Sequence, residues 1–185
     1  MEEDNKHLPS EEERFFRNMM GLSSLMYELI TECWEAGHQI VSPTLISIAE
    51  SALKSYNKKI LINNFIKYSN NYWDQIKERN EIFFIEHAND IFHDIPIKDV
   101  NLFSVLFTAK DKNGNFVIDS SDREAIWEYF DSFVKICIKY IHKHRCMKKI
   151  NTENGIILRY TQKFFPLIKI RENAKKWGIK LKGLN

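Results

Sequence analysis

Apolar residues recur at helical spacing over most of this 185-residue chain. Phe15, Met19, Leu22, Met26, Leu29 and Cys33 follow one another at steps of four and three, which aligns them on one face of an α-helix. Phe16, Met20, Ile30 and Trp34 widen that face. Just before it, Ser10-Glu11-Glu12-Glu13 reads as a capping box: the serine hydroxyl accepts a backbone N–H and Glu13 reaches back. Gly37 stands where a C-terminal cap belongs, so this first helix is bounded at both ends.

Ser42-Pro43 opens a second helix, serine as cap and proline at the first helical position, with Leu45, Ile48, Ala49, Ala52, Leu53 and Tyr56 as its expected face. A third begins near Lys59 and carries Ile62, Phe65, Ile66, Ser69, Tyr72, Trp73 and Ile76. Asn80 is placed to cap a fourth, running through Phe83, Phe84, Ala88, Ile91 and Phe92 until Ile95-Pro96 stops it. The third and fourth can also be read as one bent helix. A short fifth helix is expected from Ile97 to Phe107.

Lys110-Asp111-Lys112-Asn113-Gly114-Asn115 breaks the helical pattern, and Asn-Gly is a strong turn dipeptide. Phe116-Val117-Ile118 is a candidate strand with Phe107-Thr108-Ala109 as its candidate partner, which would make one small β-hairpin near 107–118. Ser121-Asp122-Arg123-Glu124 reads as a second capping box and opens a long helix near 122–149. Part of that helix, Phe133 to Lys139, imitates a strand, but the charges decide the matter. Glu128, Asp131, Lys135, Lys139 and Lys143 fall at steps of three and four on one stripe, acids first and bases after, as ion pairing and the helix dipole favour. Ile126, Trp127, Phe130, Phe133, Val134, Cys137, Ile138 and Ile141 fill the remaining circumference, the mark of a central helix. Asn151 to Gly155 reads as a loop, and the tail from Ile156 to Asn185 as a helix, a break at Phe165-Pro166 and a second helix ending near Trp177-Gly178. The fold expected is all-α: a compact bundle of about six or seven helices around a long central one. Residues 1–9 read as a disordered acidic tail and residues 10–185 as a single domain with a basic C-terminal segment.

Composition agrees with that picture. With 44% hydrophobic and 13% aromatic residues the chain can bury a core without a disulfide or metal staple, and only 6 Gly and 4 Pro imply few turns. Cys33, Cys137 and Cys146 are an odd set at wide spacing, and the first two lie on apolar faces, as in a reducing compartment. Met1-Glu2-Glu3-Asp4 lacks the basic-then-apolar layout of a signal peptide, and no apolar run approaches the ~18 residues of a membrane span. A cytoplasmic or nuclear setting is expected.

Charge changes the picture more. The net charge of +2 hides an asymmetry: residues 1–100 carry 10 Lys+Arg against 17 Asp+Glu, whereas residues 101–185 carry 17 against 8. From Lys135 onward there are 14 basic residues and 2 acidic ones. Lys143, Arg145, Lys148, Lys149, Lys175, Lys176, Lys180 and Lys182 are therefore the candidate contacts to nucleic acid or another acidic partner, with Tyr160 or Trp177 for stacking. Three features argue for a plain solvated face instead. Cations collect at helix C-termini, an AT-rich genome inflates lysine, and the acidic half of the chain can neutralise the patch. The mixed tail from Ile156 to Lys182 also has the composition of a basic amphipathic helix for a membrane surface or partner.

The motifs of catalysis and metal binding are mostly missing. Asp111-Lys112-Asn113-Gly114 resembles the middle of an EF-hand loop, but Ala109 and Ser120 occupy the first and last ligand positions, where carboxylates are needed. His142, His144 and Cys146 cluster without a fourth zinc ligand, and Glu86, Asp90 and His93 form one carboxylate–histidine group without the second copy of a di-iron site. No phosphate loop, dinucleotide fingerprint or nucleophile elbow appears. No cofactor is expected.

Asn64-Phe65-Ile66 through Tyr72-Trp73-Asp74-Gln75-Ile76, and Ala125-Ile126-Trp127 through Tyr140-Ile141-His142, resemble uncharacterised helical proteins of large DNA viruses with AT-rich genomes. The resemblance spans residues 60–145, rests on apolar core patterns and implies an infected-cell or virion setting, with no active site carried over. The function expected is a non-catalytic interaction module whose basic C-terminal third meets an acidic partner, nucleic acid first. A structural or adaptor protein, as a homo-oligomer or virion component, is the rival, and a metal-dependent enzyme is third.

Overall fold

The computed structural model describes residues 8–38, 42–91, 102–146 and 167–181. Their helices are α1 (Glu11–Glu35), α2 (Pro43–Lys54), α3 (Lys58–Ser69), α4 (Trp73–Lys77), α5 (Glu81–Ile91), α6 (Leu102–Thr108), α7 (Ser120–Cys146) and α8 (Leu167–Lys176). No strand forms among the described residues, so the all-α expectation holds. Positions 1–7, the Ile95-Pro96 stop, residues 97–101, the end of the long helix at 147–149 and the tail at 150–166 lie outside the described residues.

The caps explain most of the boundaries. Ser10 Oγ accepts from Glu13 N at 3.2 Å, while the Glu13 carboxylate turns to Lys58 of α3 rather than closing the box. At the other end of α1, Gly37 takes φ +96°, and His38 N and Gly37 N reach back to Cys33 O and Trp34 O. That is the paired bonding of a Schellman stop, which needs a left-handed residue. Asn57 Oδ1 caps α3 through Lys59 N and Ile60 N, and Asn80 Oδ1 caps α5 through Phe83 N at 3.0 Å.

Several expectations are corrected. The third helix ends at Ser69, because Asn70 Nδ2 donates to Ile66 O and Lys67 O and tightens the chain into a 3₁₀ turn over Asn70–Tyr72. Trp73 and Ile76 therefore belong to the separate α4, and α5 is distinct again. The long helix begins at Ser120 and its cap is Asp119, not Ser121: Asp119 Oδ1 accepts from Ser121 N at 2.7 Å and Asp122 N at 3.0 Å, and Asp122 Oδ2 accepts from Asp119 N. A carboxylate is the stronger acceptor and sits at the helix's positive end. The hairpin also fails to form. Phe107 and Thr108 are the end of α6, and the turn is closed by a lone bridge between Lys110 and Phe116.

The α2 face is rotated from the one expected. Ile46, Ala49 and Leu53 are buried, whereas Leu45 and Ile48 are 50% and 58% exposed and Ala52 is exposed too. Both stripes have the same spacing and lie side by side on one apolar arc of the helix, so periodicity could not choose between them.

α7 is the central element. Along it Ile126, Trp127, Phe130, Phe133, Val134, Ile136, Cys137, Ile138, Tyr140 and Ile141 are all buried, while Glu128, Lys135 and Lys143 form the exposed stripe. α1 packs along α7 and also on α2 and α3; α8 and α4 pack on α7 as well. An aromatic triad ties three helices, with Phe15 of α1, Phe65 of α3 and Phe133 of α7 at centroid distances of 4.9–5.4 Å. Phe84 of α5 extends it edge-on to Phe130 and Trp127. Cys33 and Cys137 are free and buried in this core, which pushes both thiols above their ordinary range.

Candidate functional site

α1 and α7 run antiparallel, so the acidic first turn of α1 lies beside the basic last turns of α7. Glu11 Oε2 meets Lys143 Nζ at 2.9 Å, Glu12 Oε1 meets His144 Nε2 at 3.5 Å, and Glu13 reaches Lys58. The hydrogen bond from His144, opposed by burial, takes the Glu12 carboxyl down to about 2. The hydrogen bond to Glu11 raises the Lys143 pKa. Each of the three glutamates thus pairs with another helix. Lys143, a candidate anion contact, is neutralised from inside the molecule, and so is Lys176, which pairs with Asp74 of α4.

Lys175 and Lys180 stand differently. α8 buries Ile170 and Ala174 and, just beyond its end, Trp177, leaving Ile168, Arg171 and Lys175 exposed at steps of three and four. Gly178, at φ +62°, closes the helix with a Schellman stop, and exposed Lys180 follows. Among the described residues no ion pair or side-chain hydrogen bond engages Arg171, Lys175 or Lys180. Trp177 cannot serve as a stacking platform as expected: it is 5% exposed, and Lys77 Nζ lies 4.9 Å over its ring. Lys148, Lys149, Lys182, Tyr160 and the side chain of Arg145 lie outside the described residues. Arg171 was missed because only the fold shows which cations of this segment keep an acidic neighbour.

A second feature was not foreseen at all. Asn18, Gly21, Ser24, Leu25 and Glu28 of α1 face Ala125, Glu128, Tyr129 and Ser132 of α7 across a groove of about 590 Å³. Within it Asn18 Nδ2 donates to Ser132 Oγ at 2.5 Å and ties the two walls together. Gly21 shapes the wall, since a Cβ there would sit 2.6 Å from the Tyr129 hydroxyl. An isolated glycine inside a strong helical pattern was the one signal available in the sequence. Glu28 and Glu128, one on each wall, are exposed and carry no ion pair among the described residues. Beside them the Glu32 carboxyl is raised by burial first and then by the carboxylates of Asp122, Asp119, Glu28 and Glu35, so this end of the α1–α7 pair is strongly acidic.

The groups with metal-ligand chemistry are engaged elsewhere or partly outside the described residues. The His144 ring also lies tilted against the Tyr140 ring, centroids 4.1 Å apart, and the side chain of Cys146 lies outside the described residues. His87 meets Asp90 at 3.2 Å, and His93 lies outside as well. In the EF-hand-like loop, Asp111 Oδ1 accepts from Asn113 N and Asn115 N at 2.8 and 2.9 Å, with Gly114 at φ +85°. Those backbone bonds hold the Asp111 carboxyl below its ordinary range and make it the organiser of a turn. Among the described residues no three His, Cys, Asp or Glu side chains are grouped to hold a metal ion, and no helix is long and apolar enough to cross a membrane. The chain matches no protein-family model, no curated protein and no solved structure.

Proposed function

We propose that this chain is a non-catalytic helical interaction module whose basic C-terminal segment binds an acidic partner, nucleic acid first. The observation that carries this reading is the exposed series Arg171, Lys175 and Lys180, which forms no ion pair among the described residues while Lys143 and Lys176 do. Residues 167–181 hold 5 basic side chains and 1 acidic one, so the local field attracts phosphates whatever the small net charge. The spacing along one helix face suits successive phosphates of a backbone more than a single base edge, which points to contact without sequence preference.

A titration of generic DNA and RNA against the protein, from about 20 to about 300 mM salt, tests it: binding should weaken linearly on log–log axes. An affinity too weak to measure at low salt, or a flat salt response, overturns it. The second reading, a structural or adaptor protein acting by protein–protein contacts, is favoured by the exposed Leu45–Ile48–Ala52 stripe of α2. Replacing Leu45 and Ile48 by serine should then abolish capture of the partner while leaving nucleic-acid affinity unchanged.

A further inference from the structure

Among the described residues, two exposed surfaces carry charge of opposite sign and form no ion pair. On one side is the α1–α7 groove, with Glu28 and Glu128 on facing walls, Leu25 and Ala125 between them and the Tyr129 ring alongside. On the other is the α8 stripe, where Arg171 and Lys175 project as long aliphatic stems with cationic heads and Ile168 is 68% exposed. A lysine or arginine side chain suits such a groove: its stem lies against apolar residues, its head meets a carboxylate, and an aromatic face adds cation–π attraction. The groove is lined by α1 and α7 alone. Within one chain α8 is held elsewhere, by Trp177 in the core and by Lys176 on Asp74. The two surfaces therefore do not satisfy each other intramolecularly.

We propose that the α1–α7 groove receives the Arg171–Lys175 stripe of α8 from a second copy of this chain, joining copies head to tail. The contact uses different surfaces on the two copies, so it is heterologous: a bound copy keeps a free groove and a free stripe, and growth continues into short open chains. A net charge of only +2 puts little overall repulsion in the way. Both surfaces are exposed and charged, which makes the association weak and sensitive to salt. The proposal requires the α8 cations to be exposed but does not require them to bind nucleic acid. Where they do, polyanion and second copy compete for one stripe.

Sedimentation of the full chain with the double variants Glu28→Gln/Glu128→Gln and Arg171→Glu/Lys175→Glu tests it, with circular dichroism confirming that each variant folds. At about 30 mM salt the average mass of the natural chain should rise with concentration, and the association should weaken at least about tenfold by about 300 mM. Each double variant alone should stay monomeric. Mixed in equal amounts they should form one-to-one pairs that grow no further, because each retains the half the other has lost. A natural chain that stays monomeric at low salt overturns the proposal, and so does undiminished association in Glu28→Gln/Glu128→Gln. Failure of the two variants to pair also overturns it. The polyanion reading fails separately: Glu28→Gln/Glu128→Gln keeps the α8 stripe and should bind DNA at least as tightly as the natural chain, so absent DNA binding by both sinks that reading and leaves the pairing test standing.

Discussion

Arg79 sits in a left-handed conformation, φ 51°, at a position where two other helices of this chain place glycine. The bonding is the same Schellman pair seen after α1 and α8, with Asn80 N on Gln75 O and Arg79 N on Ile76 O. Arginine is held there because its guanidinium reaches across to α7, with Nη2 at 2.7 Å from Glu124 and 3.2 Å from Asp131. Two substitutions separate backbone from side chain. Arg79→Gly loses the ion pairs but relieves the backbone, whereas Arg79→Ala loses the pairs and keeps the strained φ. Chemical denaturation should place Arg79→Ala below Arg79→Gly by about 1 kcal/mol, and both below the natural chain. At the start of α7, Asp119→Ala should cost about 1–2 kcal/mol and Ser121→Ala clearly less, since Asp119 accepts the orphan N–H groups. Equal losses would restore Ser121 as the cap.

At the scale of elements, the first turn of α1 works as a clasp on α3 and α7, and its energetics follow pH. The Glu12 carboxyl lies at about 2 against an ordinary value of 4.5. A depressed carboxyl stabilises the fold above its unfolded value and loses that contribution as pH falls through the folded one. Glu12→Gln should therefore cost at most about 3 kcal/mol near pH 6, and the gap to the natural chain should close between about pH 5 and pH 2. A gap that is constant with pH would show that the pair contributes nothing. The rotation of α2 has its own test: Ile46→Ala removes a side chain that is 1% exposed and should cost about 2–4 kcal/mol, whereas Ile48→Ala should be near neutral to thermal unfolding.

Across the whole molecule, the charge gradient along the chain folds back on itself. Acids of the first half neutralise Lys143 and Lys176 of the second, while the α8 cations Arg171 and Lys175 stay exposed without an ion pair among the described residues. Lys175→Ala should thus weaken polyanion binding across all sequences and shrink the salt slope by about 1, while Lys143→Ala should leave both nearly unchanged. The same folding brings Glu28 of α1 and Glu128 of α7, 100 positions apart in the chain, onto the walls of one groove, so the acidic groove has no counterpart in any local run of residues.

What the residues determined unaided is whatever depends on neighbours within a turn or two. Helix α1, the Ser42-Pro43 and Asn80 starts, the Asn113-Gly114 turn and the exposed stripe on α7 are all set by local capping, backbone conformation and period. Local rules failed where two local answers were equally good. On α2 two apolar stripes had one spacing, and only the packing of α1 decided which was buried. At the head of α7, Asp119 and Ser121 both had the right chemistry, and the stronger acceptor prevailed. The site lay further out of reach, because ion pairing acts across space. Which of eight candidate cations keep their charge available depends on where Glu11 and Asp74 arrive after folding, and no spacing along the chain encodes that arrival.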